Sequence, residues 1–111
     1  MKKKFHRKKD QRKALFKILA YHLIMKEKIK TTHQKAKFLK PIIERLISKA
    51  KRQDLSALRY LLERLPKKAA YKIFYELVPR YKDRVGGYVR IVKLPFPRIK
   101  DNAQMSIIEF V

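Results

Sequence analysis

Lysine and arginine are the residues of this 111-residue chain that recur often enough to do chemistry. There are 31 of them against 9 Asp and Glu, a formal net charge of +22. A compact domain holds so much charge only against its own repulsion, so the sequence implies a polyanionic partner. The groups that catalysis needs are thin by comparison. His6, His22 and His33 share no metal-ligand spacing, and the acidic residues are scattered singly, so neither a metal site nor a paired-carboxylate site can be read. His22 falls in an apolar stripe and reads as a core or boundary histidine. Both glycines stand together at Gly86-Gly87, which leaves no glycine-rich phosphate loop. With no Cys there is no disulfide framework, thiolate zinc site or thiol nucleophile, in keeping with a reducing compartment. No catalytic site, metal or cofactor is therefore expected.

The cations are spread along the whole chain. They crowd the first dozen residues, occupy polar helix positions (Lys35, Lys37, Lys40, Lys49, Lys51, Arg52, Lys67, Lys68) and recur near the end (Arg80, Lys82, Arg84, Arg90, Lys93, Arg98, Lys100). One basic face usually means solvated charge, but solvated charge is mixed in sign and here it is not. A phosphate backbone satisfies this pattern, since each phosphate neutralised releases condensed counterions. DNA readers concentrate cations on one recognition helix or basic region. Cations on every element suit folded RNA, approached from several sides through phosphate and 2′-hydroxyl groups. A DNA-binding nucleoid-associated or regulatory protein is the alternative, and a cationic membrane-active helix over residues 13–30 is a third reading. Tyr88 and Phe96 could stack on unpaired bases, although sheet core or a loop plug is the commoner use of such positions.

These residues need a scaffold, and 46% hydrophobic content supplies one. Residues 1–12 read as a basic arm, with Phe5 its only bulky apolar residue, expected to be disordered when free. Residues 13–111 read as one domain. Leu15, Ile18, Leu19, His22 and Leu23 space a first helix of about three turns from Lys13. Residues 28–32 alternate as a short strand, and Thr31 with Gln34 signals a capping box opening a second helix. Its stripe is Ala36, Leu39, Ile43, Leu46, Ile47 and Ala50. Pro41 either kinks this helix or marks a start near Lys40, and the continuing stripe favours a kinked helix. Asp54 caps a third helix carrying Leu55, Leu58, Leu61, Leu62 and Leu65, which Pro66 ends. Ala70, Ile73, Phe74, Leu77 and Val78 give a fourth, stopped by Pro79.

Beyond Gly86-Gly87 the period changes to two, predicting strands over 88–94 and 104–111 around a long turn. Val89 and Ile91 share one face of the first strand; Ser106, Ile108 and Phe110 share one face of the second. The expected class is α+β, in the order arm-α-β-α-α-α-β-β, with helices packed on a small sheet in two layers. The longest mostly apolar run, residues 14–25, is broken by Lys17 and His22 and is too short to span a bilayer. Asp10, Arg12, Lys13 and Lys17 also count against a signal peptide, and no small-x-small cleavage pattern follows.

Four segments resemble the bacterial large-subunit ribosomal proteins of the L-seventeen family. They are Ile29-Lys30-Thr31-Thr32 leading into Lys35-Ala36-Lys37, then Pro79-Arg80-Tyr81, then Arg84-Val85-Gly86-Gly87-Tyr88 with Arg90-Ile91, and finally Asp101-Asn102-Ala103-Gln104-Met105 closing on Ile108-Glu109. The resemblance covers about residues 12–111; Phe38, Pro41 and Lys100 depart from it. It implies a structural constituent of the large ribosomal subunit, cytoplasmic, without cofactor or catalysis, bound to large-subunit rRNA beside neighbouring ribosomal proteins, with no small-molecule substrate. It also implies that Thr31, Thr32, Lys35 and Lys37 lie at the entry to the second helix, and that Arg84, Gly86, Gly87, Tyr88 and Arg90 form a loop open to close backbone approach. The other candidate RNA-binding residues are Lys2, Lys3, Lys4, His6, Arg7, Lys8, Lys9 and Arg12 of the arm, with Lys13, Lys40 and Arg98.

Overall fold

The computed structural model describes residues 9–111, so the arm's Lys2, Lys3, Lys4, His6, Arg7 and Lys8, and the expected disorder of the arm, lie outside the described residues. Helix α1 spans Lys9–Lys26, about five turns, and takes in Lys9 to Arg12, four residues ahead of the expected start at Lys13. Lys9, Gln11 and Arg12 are good helix formers, and Asp10 in the first turn suits the positive end of the helix dipole. The buried face is Phe16, Ala20, Leu23 and Ile24; Ile18 is 56% exposed and His22 lies in solvent, against the expected stripe. Residues 14–25 are apolar around most of the helix, so spacing alone admits two overlapping faces. Glu27 ends the helix in the left-handed region at φ 65°, donating its N–H to the Leu23 carbonyl at 2.6 Å.

Strand β1 is Lys28–Thr32, as expected, and helix α2, His33–Ala50, follows without a loop. The cap is Thr32, whose hydroxyl accepts from the Lys35 N–H at 3.4 Å. Thr31 cannot play the part expected of it, because the strand's alternation turns it inward opposite Ser106. Helix α2 runs unbroken through Pro41, which excludes a start near Lys40. Pro41 is exposed, so the Lys37 carbonyl that loses its intrahelical partner lies toward water. The whole expected stripe of α2 is buried.

Asp54 caps helix α3, Leu55–Arg64, accepting from the Ala57 N–H at 2.8 Å. Ala57, Leu61 and Leu65 form its buried side, whereas Leu55 is 61% exposed and Leu62 also reaches solvent. Leucines occupy more than one side of this short helix, and packing selects the face where Ala57 permits close approach. Helix α4, residues 67–80, has three consecutive pieces: Lys67–Lys72, a π-helical turn over Ile73–Leu77, and Val78–Arg80. Pro79 therefore sits inside the last turn and does not stop the helix before it. The widened turn, closed by the Val78 N–H on the Ile73 carbonyl, makes room where a proline ring would otherwise crowd the preceding turn.

Strands β2, Val89–Lys93, and β3, Met105–Phe110, complete a three-stranded antiparallel sheet in the order β1-β3-β2. Ile29 and Ile91 both pair with Ile108, and Lys28 and Arg90 both pair with Glu109. Helix α2 lies along all three strands and α1 adjoins β1, while α3 and α4 pack behind them. This is the expected α+β arrangement with helices on one side of the sheet. The buried apolar residues form one cluster from Phe16 to Phe110.

Candidate nucleic-acid interface

With the helices on one side, strand alternation decides what the other side shows. Ile29, Thr31, Ser106, Ile108, Phe110, Val89 and Ile91 point toward α2. Lys28, Lys30, Arg90 and Val92 are exposed on the opposite face, around half-buried Ile107 and Glu109. Arg90 reaches Glu109 at 3.6 Å with most of its side chain in solvent, so the pair leaves the guanidinium accessible. Lys28 and Lys30 were not singled out by sequence reasoning, although their i, i+2 spacing in a strand places two cations on one face.

The Arg84–Tyr88 loop stands at one end of this face, held by a carboxylate. Glu44 of α2 accepts the Tyr88 N–H at 2.6 and 2.9 Å and the Val89 N–H at 3.2 Å. Glu44 was likewise missed; the signal was a lone acid beside the apolar stripe of an otherwise basic helix. Lys51 donates to the Arg84 carbonyl and, at 3.2 Å, to the Tyr88 hydroxyl. Tyr88 is 1% exposed, its ring 5.3 Å from Tyr81, so it belongs to the core and leaves the set of candidate RNA contacts. Burial also raises the Tyr81 pKa, and its hydroxyl donates to the Val111 carbonyl at 2.9 Å. Arg84, Gly86 and Gly87 are exposed. Gly87 has φ +67°, which favours glycine, whereas Gly86 has no such requirement and open space where a Cβ would lie.

Behind this end, Glu27 binds Arg80 through both guanidinium nitrogens, the second at 3.1 Å, and Lys72 at 3.2 Å. The Arg80 hydrogen bonds hold the Glu27 carboxyl down at about 2, against the opposing effect of burial. Since Arg80 and Lys72 lie on α4, this carboxylate ties the end of α1 to that helix.

The entry to α2 occupies the other end of the sheet. His33 Nδ1 is 2.7 Å from Ser106 Oγ, and its pKa is lowered by burial first, then by the charges of Lys93 and Lys37. Lys93 thus joins Thr32 and Lys37 at this end, a neighbour that linear spacing does not reveal. Lys37 is exposed, Lys35 and Lys40 are half-buried, and Thr31 is buried. Arg98, on the β2–β3 loop, is bound through two nitrogens to Asp101 at 2.8 and 2.6 Å, which lowers the Asp101 pKa to about 2. Its guanidinium is thereby engaged within the loop. Phe96 is 79% exposed, not the loop plug expected of it.

A further basic region lies beyond the sheet. Lys9, Arg12, Lys13, Lys17 and Arg64 rim a cavity of about 600 Å³ floored by Phe16, Phe38, Ile42 and Leu46. The candidate residues therefore do not converge on one point: Lys28, Lys30 and Arg90 occupy the uncovered face with Arg84 in the loop at one end, Lys37 and Lys93 stand at the other end on the α2 side of the sheet, and Lys9, Arg12 and Lys13 border this cavity. No group of His, Asp and Glu among the described residues could hold a metal ion, and no described helix is long and apolar enough to cross a membrane. What the arrangement does offer is many separated, exposed cations, suited to phosphates spaced along a polymer.

Comparison with known proteins agrees with the resemblance these motifs carry. The chain matches the family described as ribosomal protein L17 over residues 15–111. It is 53% identical over 111 residues to the large ribosomal subunit protein bL17 of Persephonella marina, covering 98% of this chain and 90% of that protein. It is 50% identical to the bL17 of a Hydrogenobaculum species, with 99% and 94% covered, and 52% identical to that of Dinoroseobacter shibae, with 98% and 79% covered. The chain belongs to the ribosomal protein L17 family.

Proposed function

We propose that this protein is a structural, non-catalytic constituent of the large ribosomal subunit in the bacterial cytoplasm. It binds large-subunit rRNA through phosphate and 2′-hydroxyl contacts and sits beside other large-subunit proteins, supporting assembly and translation. The observation that carries the RNA contact is the sheet face left uncovered by the helices, where Lys28, Lys30 and Arg90 are exposed, with Arg84 in the loop at one end and Lys37 and Lys93 at the other end, on its α2 edge. Scattered cations of this kind bind a polyphosphate with an affinity that falls steeply with salt. Family membership and relatives named as large-subunit proteins supply the ribosomal setting.

Gly86 supports the same reading. Its backbone conformation does not require glycine and nothing lies within 4 Å of a Cβ placed there, so the fold gives no reason for a bare backbone. An RNA backbone pressed against the loop gives one. The test is to separate lysate particles by high-speed sedimentation and to compete rRNA fragments against duplex DNA at matched salt. The protein is expected in large subunits and on rRNA. Its absence from large subunits, or preference for duplex DNA, overturns the proposal.

A further inference from the structure

The β2–β3 loop, residues 94–104, is closed by its own hydrogen bonds. Leu94 N–H donates to the Met105 carbonyl at 2.9 Å and Arg98 N–H to the Ala103 carbonyl at 2.8 Å. Asn102, at φ 59°, returns its N–H to the Arg98 carbonyl at 2.7 Å, and Gln104 Nε2 donates to the Leu94 carbonyl at 2.9 Å. The doubled Arg98–Asp101 pair braces the turn, and Pro95 and Pro97 restrict the backbone on either side of Phe96. None of these bonds involves the side chains of Phe96 or Ile99. Both project into solvent, Phe96 79% exposed and Ile99 fully so. A loop braced in this way presents large apolar groups at little entropic cost to a partner.

We infer that this tip is an aromatic wedge: the Phe96 ring stacks on an unpaired base of the bound RNA, beside the apolar side chain of Ile99. The inference rests on the RNA-binding function proposed above and names a contact that phosphate binding alone does not require. Charge selects RNA over a protein surface as the occupant. Lys93 and Lys100 flank the tip in sequence and are exposed, the one acid of the loop, Asp101, is paired with Arg98, and lysine is depleted in the cores of protein interfaces. A splayed base offers a flat apolar face next to the phosphates those cations attract.

The chain has no tryptophan, so Phe96→Trp places a single indole at the tip. This variant is titrated with deproteinised large-subunit rRNA while emission and acrylamide quenching are read. The wedge predicts indole emission quenched by the bases and an indole shielded from acrylamide in the complex. Phe96→Ala is expected to weaken binding by about 5- to 150-fold, the range for one base stacked on an aromatic ring, with the salt dependence unchanged. Phe96→Leu should fall with Ala rather than with Trp. Unfolding curves of all three variants check that the exposed position leaves the fold intact. Tight RNA binding with an acrylamide-accessible indole, or full affinity in Phe96→Ala, overturns the wedge and leaves the RNA reading standing. Shielding that appears only when other large-subunit proteins are added makes the tip a protein contact and also overturns it. Failure of the unaltered protein to bind rRNA overturns the RNA reading, and the wedge with it.

Discussion

Replacing Glu44 with alanine should damage the fold and the Arg84–Tyr88 loop together, and the size of the effect follows from the bonds it makes. One carboxylate takes the Tyr88 N–H at 2.6 and 2.9 Å and the Val89 N–H at 3.2 Å. Both residues are buried, so these donors find little water when the acceptor is removed. Each buried donor left unpaired costs about 1–3 kcal/mol, giving roughly 2–6 kcal/mol for the two that Glu44→Ala leaves. Set against a typical domain stability of about 5–15 kcal/mol, that is a large fraction. In a domain of this size it lowers Tm by roughly 10–30 °C. Glu44→Gln keeps one acceptor oxygen and loses the charge, so a smaller loss of about 1–2 kcal/mol is expected. Circular dichroism melts give the stability, and amide exchange at Tyr88 and Val89 locates the damage. A Glu44→Ala protein within about 0.5 kcal/mol of the parent, with both amides still protected, refutes the clamp.

The two glycines should respond in opposite ways. Gly87→Ala forces a Cβ onto φ +67° and should cost about 1–2 kcal/mol, whereas Gly86→Ala should leave the melt nearly unchanged and weaken RNA binding; equal effects of the two in a paired melt and binding assay contradict this. Lys28→Gln with Lys30→Gln should reduce the slope of log affinity against log salt by roughly two units, and an unchanged slope in filter binding places both lysines in solvent. Glu27 should make stability depend on acid. Its folded pKa is about 2 against an ordinary 4.5, so its contribution is complete above pH 4.5 and is lost as pH falls through about 2. With a third of the side chain exposed, solvent screening leaves that contribution at about 1–2 kcal/mol. Glu27→Gln should remove this part of the acid dependence in denaturant melts; an identical acid profile excludes it.

Elements bounded by local chemistry were legible in the sequence. Strand β1, the Asp54 cap, the α2 stripe and the class of fold follow from alternation, a capping side chain and helical spacing. Faces of helices rich in leucine were not, because α1 and α3 offer more than one apolar side and only packing chooses between them. Prolines misled at Pro79, where a π-helical turn absorbs the ring. At the candidate interface, the identity of the cations could be read but not their company. That Lys93 stands beside His33, or that Asp101 occupies Arg98, depends on strand register and loop closure. Acids proved the more informative residues. In a chain of net charge +22, Glu27, Glu44, Asp54 and Asp101 each hold a structural junction.

In the proposed function, the uncovered sheet face and its two flanking ends lie against large-subunit rRNA. Crosslinking within purified large subunits, read by mass spectrometry of RNA-linked peptides, tests it most directly. RNA adducts are expected at Lys28, Lys30, Arg90, Arg84 and Lys37, and none on the α2 stripe. Adducts confined to α3 and the exposed side of α4, with the sheet face unmodified, would contradict it.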